Sequence, residues 1–144
     1  MIQSLVKFGL LSIVLLLATA CGDRELPGYV VPAGSGALTI EDQRLESANT
    51  IMIEEVFADG PAFIAIFEDR DNSLGDPVGL LHFEGGRSTN KEMILDRDIE
   101  GEERLVAALY VDLSRDQSFE RDDDMIARDE DGRRVRFRFQ ARVE

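Results

Sequence analysis

Six oxygen-bearing side chains recur through one stretch of the chain: Asp112, Ser114, Asp116, Ser118, Glu120 and Asp123. Counted from Asp112, they fall at positions 1, 3, 5, 7, 9 and 12 of a twelve-residue loop. A looping backbone with acids at this spacing delivers the roughly six to eight oxygens that Ca²⁺ prefers. Two positions depart from that chemistry. Gln117 stands where a glycine would make the sharp turn, and Asp123 is shorter than the bidentate glutamate expected at the last position. The same stretch also fits a solvated acidic loop pinned to a core by Phe119, Met125 and Ile126, and that is the leading expectation. A smaller oxygen-rich group, Asp69, Asp71, Asn72 and Ser73, reads as the tip of a hairpin.

Other chemistries find little material. A nucleophilic triad needs a base beside its nucleophile, and the chain has one histidine, His82, in the strand-like Leu80-Leu81-His82-Phe83-Glu84. His82 is expected to be a surface or packed residue. One cysteine and one histidine cannot assemble a zinc site, and no glycine-rich phosphate loop is present. Carboxylates are so numerous that chance pairs are inevitable, so a hydrolase using two of them is only a distant alternative. The expectation is a protein without catalytic residues or cofactor, Ca²⁺ being the one candidate ligand.

The elements that must position these groups read as strands. Val135-Arg136-Phe137-Arg138-Phe139-Gln140-Ala141-Arg142-Val143 alternates apolar with polar, the period of a strand with one buried face. Ile51 and Ile53 begin a similar alternation. Phe63-Ile64-Ala65-Ile66-Phe67 and Leu105-Val106-Ala107-Ala108-Leu109-Tyr110-Val111 are continuous apolar runs, suited to central strands covered on both faces; the second also fits a buried helix. Turn chemistry separates them at Asp59-Gly60-Pro61, 69–73 and Gly85-Gly86. Segments near 38–44, 50–57, 62–68, 78–84, 88–95, 104–112 and 134–143 give about seven strands at regular spacing, which predicts an all-β, two-sheet antiparallel sandwich.

Ahead of them lies an address. Positive charge at Lys7 precedes an apolar run from Phe8, and small residues lead to Cys21. This is the layout of a secretory signal. The 13 residues from Phe8 to Ala20 would span roughly 20 Å as a helix, short of a ~30 Å hydrocarbon core. Leu17-Ala18-Thr19-Ala20-Cys21 resembles the lipobox of bacterial lipoproteins, with Ala18 where leucine is commonest. The resemblance implies cleavage before Cys21 and lipid on its thiol; a plain signal peptide with a chance cysteine is the other reading. More than one acyl chain is needed for stable anchoring. Gly22 after the cysteine implies the outer membrane where the organism has two. Residues 22–37, rich in glycine and proline, read as a flexible tether holding the domain roughly 20–25 Å from its anchor. The expected division is therefore 1–20 signal, 21–37 lipidated cysteine and tether, and 38–144 sandwich.

Across 38–144 the layout resembles a domain of unknown function with an immunoglobulin-like sandwich, found in exported and surface proteins of halophilic archaea and some bacteria. The landmarks are Ile40-Glu41-Asp42-Gln43, Asp59-Gly60-Pro61-Ala62-Phe63-Ile64, Gly75-Asp76-Pro77-Val78-Gly79, and 105–110 followed by Asp112, Asp116 and Phe119. The glycine expected after the second loop aspartate is Gln117. What the resemblance implies is a fold and an extracytoplasmic setting, not an activity. The charge reads as a well-solvated acidic surface: net −13 from 16 basic and 29 acidic residues, or −14 once Lys7 leaves with the signal (15 against 29). Such a surface repels nucleic acid. The expectation is thus a lipid-anchored, monomeric envelope module with a binding or structural role, its partners the membrane and an envelope protein. Loop 112–123 and the 69–73 turn are the candidate surface, with a calcium-dependent adhesion module as the alternative.

Overall fold

The computed structural model describes residues 35–71, 73–122 and 124–144. The signal-like segment, Cys21 and the tether up to residue 34 lie outside them, as do Asn72 and Asp123. The described residues contain nine strands and no helix: β1 (Gly36–Thr39), β2 (Gln43–Leu45), β3 (Thr50–Ala58), β4 (Ala62–Arg70), β5 (Ser73–Phe83), β6 (Gly86–Ile94), β7 (Glu102–Val111), β8 (Met125–Ile126) and β9 (Arg136–Val143). One sheet has the order β1-β3-β6; the other runs β2-β9-β7-β4-β5, with β8 pairing the end of β7. This is the two-sheet arrangement of an immunoglobulin-like sandwich. The chain's only cysteine is Cys21, so no disulfide ties the sheets together.

Every expected strand segment is present, with three refinements. The segment at 38–44 is two strands: β1 pairs β3 in one sheet, the chain crosses at residues 40–42, and β2 pairs β9 in the other. The β2–β9 pair is parallel, so the sandwich is not wholly antiparallel. The first strand begins at Gly36, which takes the last two tether residues into the fold. Gly36 is needed there because a Cβ would collide with Leu109 of the facing sheet.

The two apolar runs are both strands, and both are covered twice. Ala62, Ile64 and Ile66 of β4 and Leu105, Ala107 and Leu109 of β7 face the other sheet and form the main core. Their alternates, Phe63, Ala65, Phe67, Val106, Ala108 and Tyr110, form a second apolar layer on the outer face, closed by Leu74, Phe119 and Ile126. A strand buried on both faces has no reason to alternate, which explains the unbroken hydrophobicity. Elsewhere alternation holds until local geometry interrupts it. Ile51 and Ile53 face inward, then pairing lapses at Glu54 opposite Asn90, whose φ is +49°, and the faces exchange so that Val56 and Ala58 become buried.

Two further contacts hold the sandwich together. On one open side, the Gln43 amide of β2 accepts the Met52 N–H at 2.7 Å and donates to the Met52 carbonyl at 3.1 Å, so one side chain spans both sheets. On the outside, Arg97 grips Glu103 through two bonds of 3.0 and 2.8 Å and reaches Glu68 at 3.2 Å. Glu68 also accepts from Arg70, which continues to Asp76. The chain of charges links β4, β5, β7 and the connection before β7.

Arg70 foremost holds the Glu68 carboxyl below the ordinary glutamate value of 4.5, and Arg97 foremost does the same for Glu103. A carboxyl with a depressed folded value stabilises the fold above its unfolded value. That contribution is lost as pH falls through the folded value. The melting temperature is therefore expected to fall as pH is lowered below about 4. Arg97→Ala should lower it by a few degrees at pH 7 but have little effect at about pH 3. Calorimetry across that range checks both.

Candidate functional site

The acidic loop leaves the end of β7 and lies over the outer apolar layer of β4 and β7. Its entry is fixed by the Asp112 N–H, which donates to the Pro61 carbonyl at 3.0 Å. Phe119 then plugs the loop onto the sheet. Its ring meets Phe63 and Tyr110 edge to face, with centroids 5.5 and 5.1 Å apart. Arg121 lays its guanidinium over Phe67, 5.0 Å from the ring centre, and donates to the Gly75 carbonyl. Ile126 packs beneath as well, while half-buried Met125 pairs with Val111 through its backbone. The burial that holds the loop also pushes the Tyr110 hydroxyl upward in pKa.

Asp112 organises the turn. Its side chain is fully buried, and its two oxygens face four donors. Oδ1 accepts the Ser114 hydroxyl at 3.2 Å and the Arg115 N–H at 2.8 Å; Oδ2 accepts the Gln117 N–H at 3.2 Å and His82 Nε2–H at 3.2 Å. His82 reaches it from β5, stacked edge to face on Phe63 with Glu84 on its other side at 3.9 Å. The carboxylate draws the chain so tightly that Arg115 and Gln117 adopt left-handed φ of +57° and +62°. Gln117 thus takes the conformation that the expected glycine would adopt freely, at a cost of roughly 1 kcal/mol or more.

The remaining acids serve the same closure. Asp116 accepts the Ser118 N–H at 2.9 Å. The Ser114 hydroxyl sits between Asp112 and Asp116, and it is the chief cause holding the Asp116 carboxyl below its usual range. Asp124, buried although sequence reasoning passed over it, accepts the Glu120 N–H at 2.9 Å while its own N–H donates to the Glu120 carbonyl. The result is a shallow concavity of about 270 Å³ lined by Leu113, Ser114, Asp116, Ser118, Glu120 and Asp124.

Four residues of the expected calcium set, Ser114, Asp116, Ser118 and Glu120, therefore share one hollow, while Asp112 points into the protein and Asp123 lies outside the described residues. Among the described residues, no three His, Cys, Asp or Glu side chains gather closely enough to share a metal ion. Of the 69–73 group, Asp69, Asp71 and Ser73 lie at the β4–β5 hairpin tip, and Asn72 lies outside the described residues. The side chain of half-buried Asp69 is turned away from water and pairs with Arg138 at 3.2 Å, and Asp71 pairs with Arg104 at 3.0 Å. The loop reaches β5 just past the tip, where Arg121 donates to the Gly75 carbonyl. A second hollow, about 430 Å³, lies on the open side between Gln43 and Glu92. It is lined by Gln43, whose amide is already engaged with Met52, and by Arg44, Glu46 and Glu92. His82 and Asp112 resemble a base with its orienting carboxylate, but the Ser114 hydroxyl donates to Asp112 and not to the imidazole. No spacing in the sequence signalled the His82–Asp112 pair, which joins residues 30 positions apart.

Fold and site together define an immunoglobulin-like β-sandwich with a structured acidic loop on its outer face. A family model matches residues 36–139, and the chain belongs to that family, described as a domain of unknown function, DUF7282. No curated protein and no solved structure matches the chain significantly.

Asp112→Asn tests the organising role. An amide keeps the shape but turns an NH₂ toward two of the four donors, so a loss of about 2–4 kcal/mol is expected. Urea denaturation measures it, and hydrogen exchange should quicken first at the Arg115 and Gln117 amides. Because the loop closes on its own donors, wild type should melt within about a degree in EDTA and in millimolar calcium. A large calcium-specific rise would instead assign the hollow to the cation.

Proposed function

We propose that the chain is a lipid-anchored module of the cell envelope that binds a protein partner without catalysing a reaction. Its contact surface is the loop at 112–124 together with the hairpin tip at 69–73. The address rests on sequence: an n-region ending in Lys7, a short apolar run, and small residues leading to Cys21. Where the organism has two membranes, Gly22 directs the protein to the outer one.

The observation that carries the binding role is the strained loop. Two neighbouring non-glycine residues, Arg115 and Gln117, are held left-handed by one buried carboxylate. Such strain persists only where its surroundings over-determine it, and it concentrates at sites of function. Leu113, 46% exposed at the lip of the hollow, adds an apolar contact among carboxylates and hydroxyls. A rigid scaffold presenting a shaped loop is a common basis for recognition.

Metabolic labelling with a palmitate analogue in a bacterium with two membranes tests the address. Wild type is expected to take the label and fractionate with the outer membrane, and Cys21→Ser to do neither. An unlabelled wild type overturns the anchor. For the binding role, a photo-crosslinking residue at Ser118 should trap one discrete partner, and Asp112→Asn should abolish the adduct. No adduct from Leu113, Ser118 or Glu120 would retire this surface.

A further inference from the structure

Half of one edge of β9 is open. On the side away from β7, β2 pairs only with residues 141–143. Just before them, the Asp42 carboxylate takes the Gln140 N–H at 2.7 Å, a side chain standing in for the next strand residue. From 136 to 139 no described strand covers that edge. Alternate residues of a strand direct their backbone groups to opposite edges. Since Gln140 points its N–H to the open side, Arg138 and Arg136 present theirs there too.

The side chains along this stretch agree. Phe137 shares the inner face with Phe139 and Ala141, which are 2% and 0% exposed, yet its own ring is 44% exposed. An added strand would cover it. On the outer face Arg138 is committed to Asp69, whereas Arg136 makes no ion pair among the described residues. The run 133–143 contains five arginines and no acid, in a chain of net charge −13. Other edges are blunted in familiar ways: β5 carries Pro77 and two register shifts, and β6 carries Lys91 and the left-handed Asn90. On β9 the arginines act selectively. Two copies meeting antiparallel across this edge would bring Arg136 and Arg138 against the same residues of the other copy, a like-charge contact that disfavours self-pairing.

We propose that the β9 edge at residues 136–139 is a strand-addition site for an extended acidic segment of a partner protein. Carboxylates at alternate positions would face Arg136 on the outer face, and apolar residues between them would cover Phe137. Backbone bonds would supply affinity and the alternate side chains specificity. This inference rests on the binding-module reading but not on the anchor or the acidic loop.

The test uses the full chain in detergent and a fluorescent nine-residue peptide alternating Glu and Val, followed by anisotropy. The Glu-Val peptide is expected to bind, and an alternating Lys-Val peptide to bind at least about tenfold more weakly. N-methylation of alternate backbone nitrogens should abolish binding while leaving charge unchanged. Arg136→Glu should reverse the preference between the two peptides, and Glu92→Gln, exposed on β6 of the other sheet, should change nothing. Hydrogen exchange at the Arg136 and Arg138 amides should slow with peptide bound. Absence of binding at millimolar peptide, or equal binding of the N-methylated peptide, overturns strand addition. Binding that is lost in Asp116→Ala but kept in Arg136→Glu would place recognition on the loop instead, leaving the binding-module reading intact.

Discussion

The structure depends on burying β4 and β7 from both sides. Six consecutive residues of each strand are nearly inaccessible to water. At roughly 1.5–3 kcal/mol for each large apolar side chain, these two strands provide a dominant share of the driving force. One face is covered by the opposite sheet and the other by the chain's own loop. An outer sheet face that would normally meet solvent is thereby turned into a second core. The acidic loop cannot be a passive connection, because Phe119 and Ile126 are part of what keeps Phe63, Phe67 and Tyr110 dry.

That arrangement poses an electrostatic problem, which Asp112 addresses. A loop dense in carboxylates must descend onto an apolar surface, and its first acid is fully buried. An unpaired buried charge would be very costly. Four donors, three from the loop and one from His82, surround it instead. The same bonds that satisfy the charge fold the loop, so burial and shape have one cause. The arginines solve the matching problem at the hairpin tip, where Asp69 is sequestered by Arg138 and Asp71 is held by Arg104.

How legible this was in the sequence follows from the range of each signal. Strand positions rest on periodicity over a few residues, and all the expected segments are strands. The continuous runs at 63–67 and 105–111 even implied cover on both sides. The reading of Phe119, Met125 and Ile126 as pins was equally local, since apolar residues in an acidic stretch need somewhere dry; Phe119 and Ile126 join the outer layer and Met125 does not. What stayed hidden is long-range. The 38–44 segment gives no local sign that the chain changes sheets, since Ile40 suits either core. Gln43 bridging to Met52 depends on both sheets being in place. His82 and Asp112 meet only once β5 and β7 flank β4. For the loop, the spacing of oxygens was visible, but which carboxylates turn inward depends on the surface beneath them. Asp112 was read as the first ligand of a set, yet it lies over the seam where β4, β5 and β7 converge.

The placement of β2 and β9 bears on how the domain carries load. β2, the second strand, lies beside β9, the last described strand, and parallel to it. When two neighbouring strands run parallel and the chain is pulled from its opposite ends, they are dragged past one another lengthwise. Their hydrogen bonds then resist together and do not open one at a time. Load carried across β2 and β9 would meet this shear geometry, reinforced by the Gln43 side chain that reaches across to the second sheet. Pulled from the amino-terminal side of β2 and the carboxy-terminal side of β9, this pair would yield in one abrupt event, with little stretch beforehand.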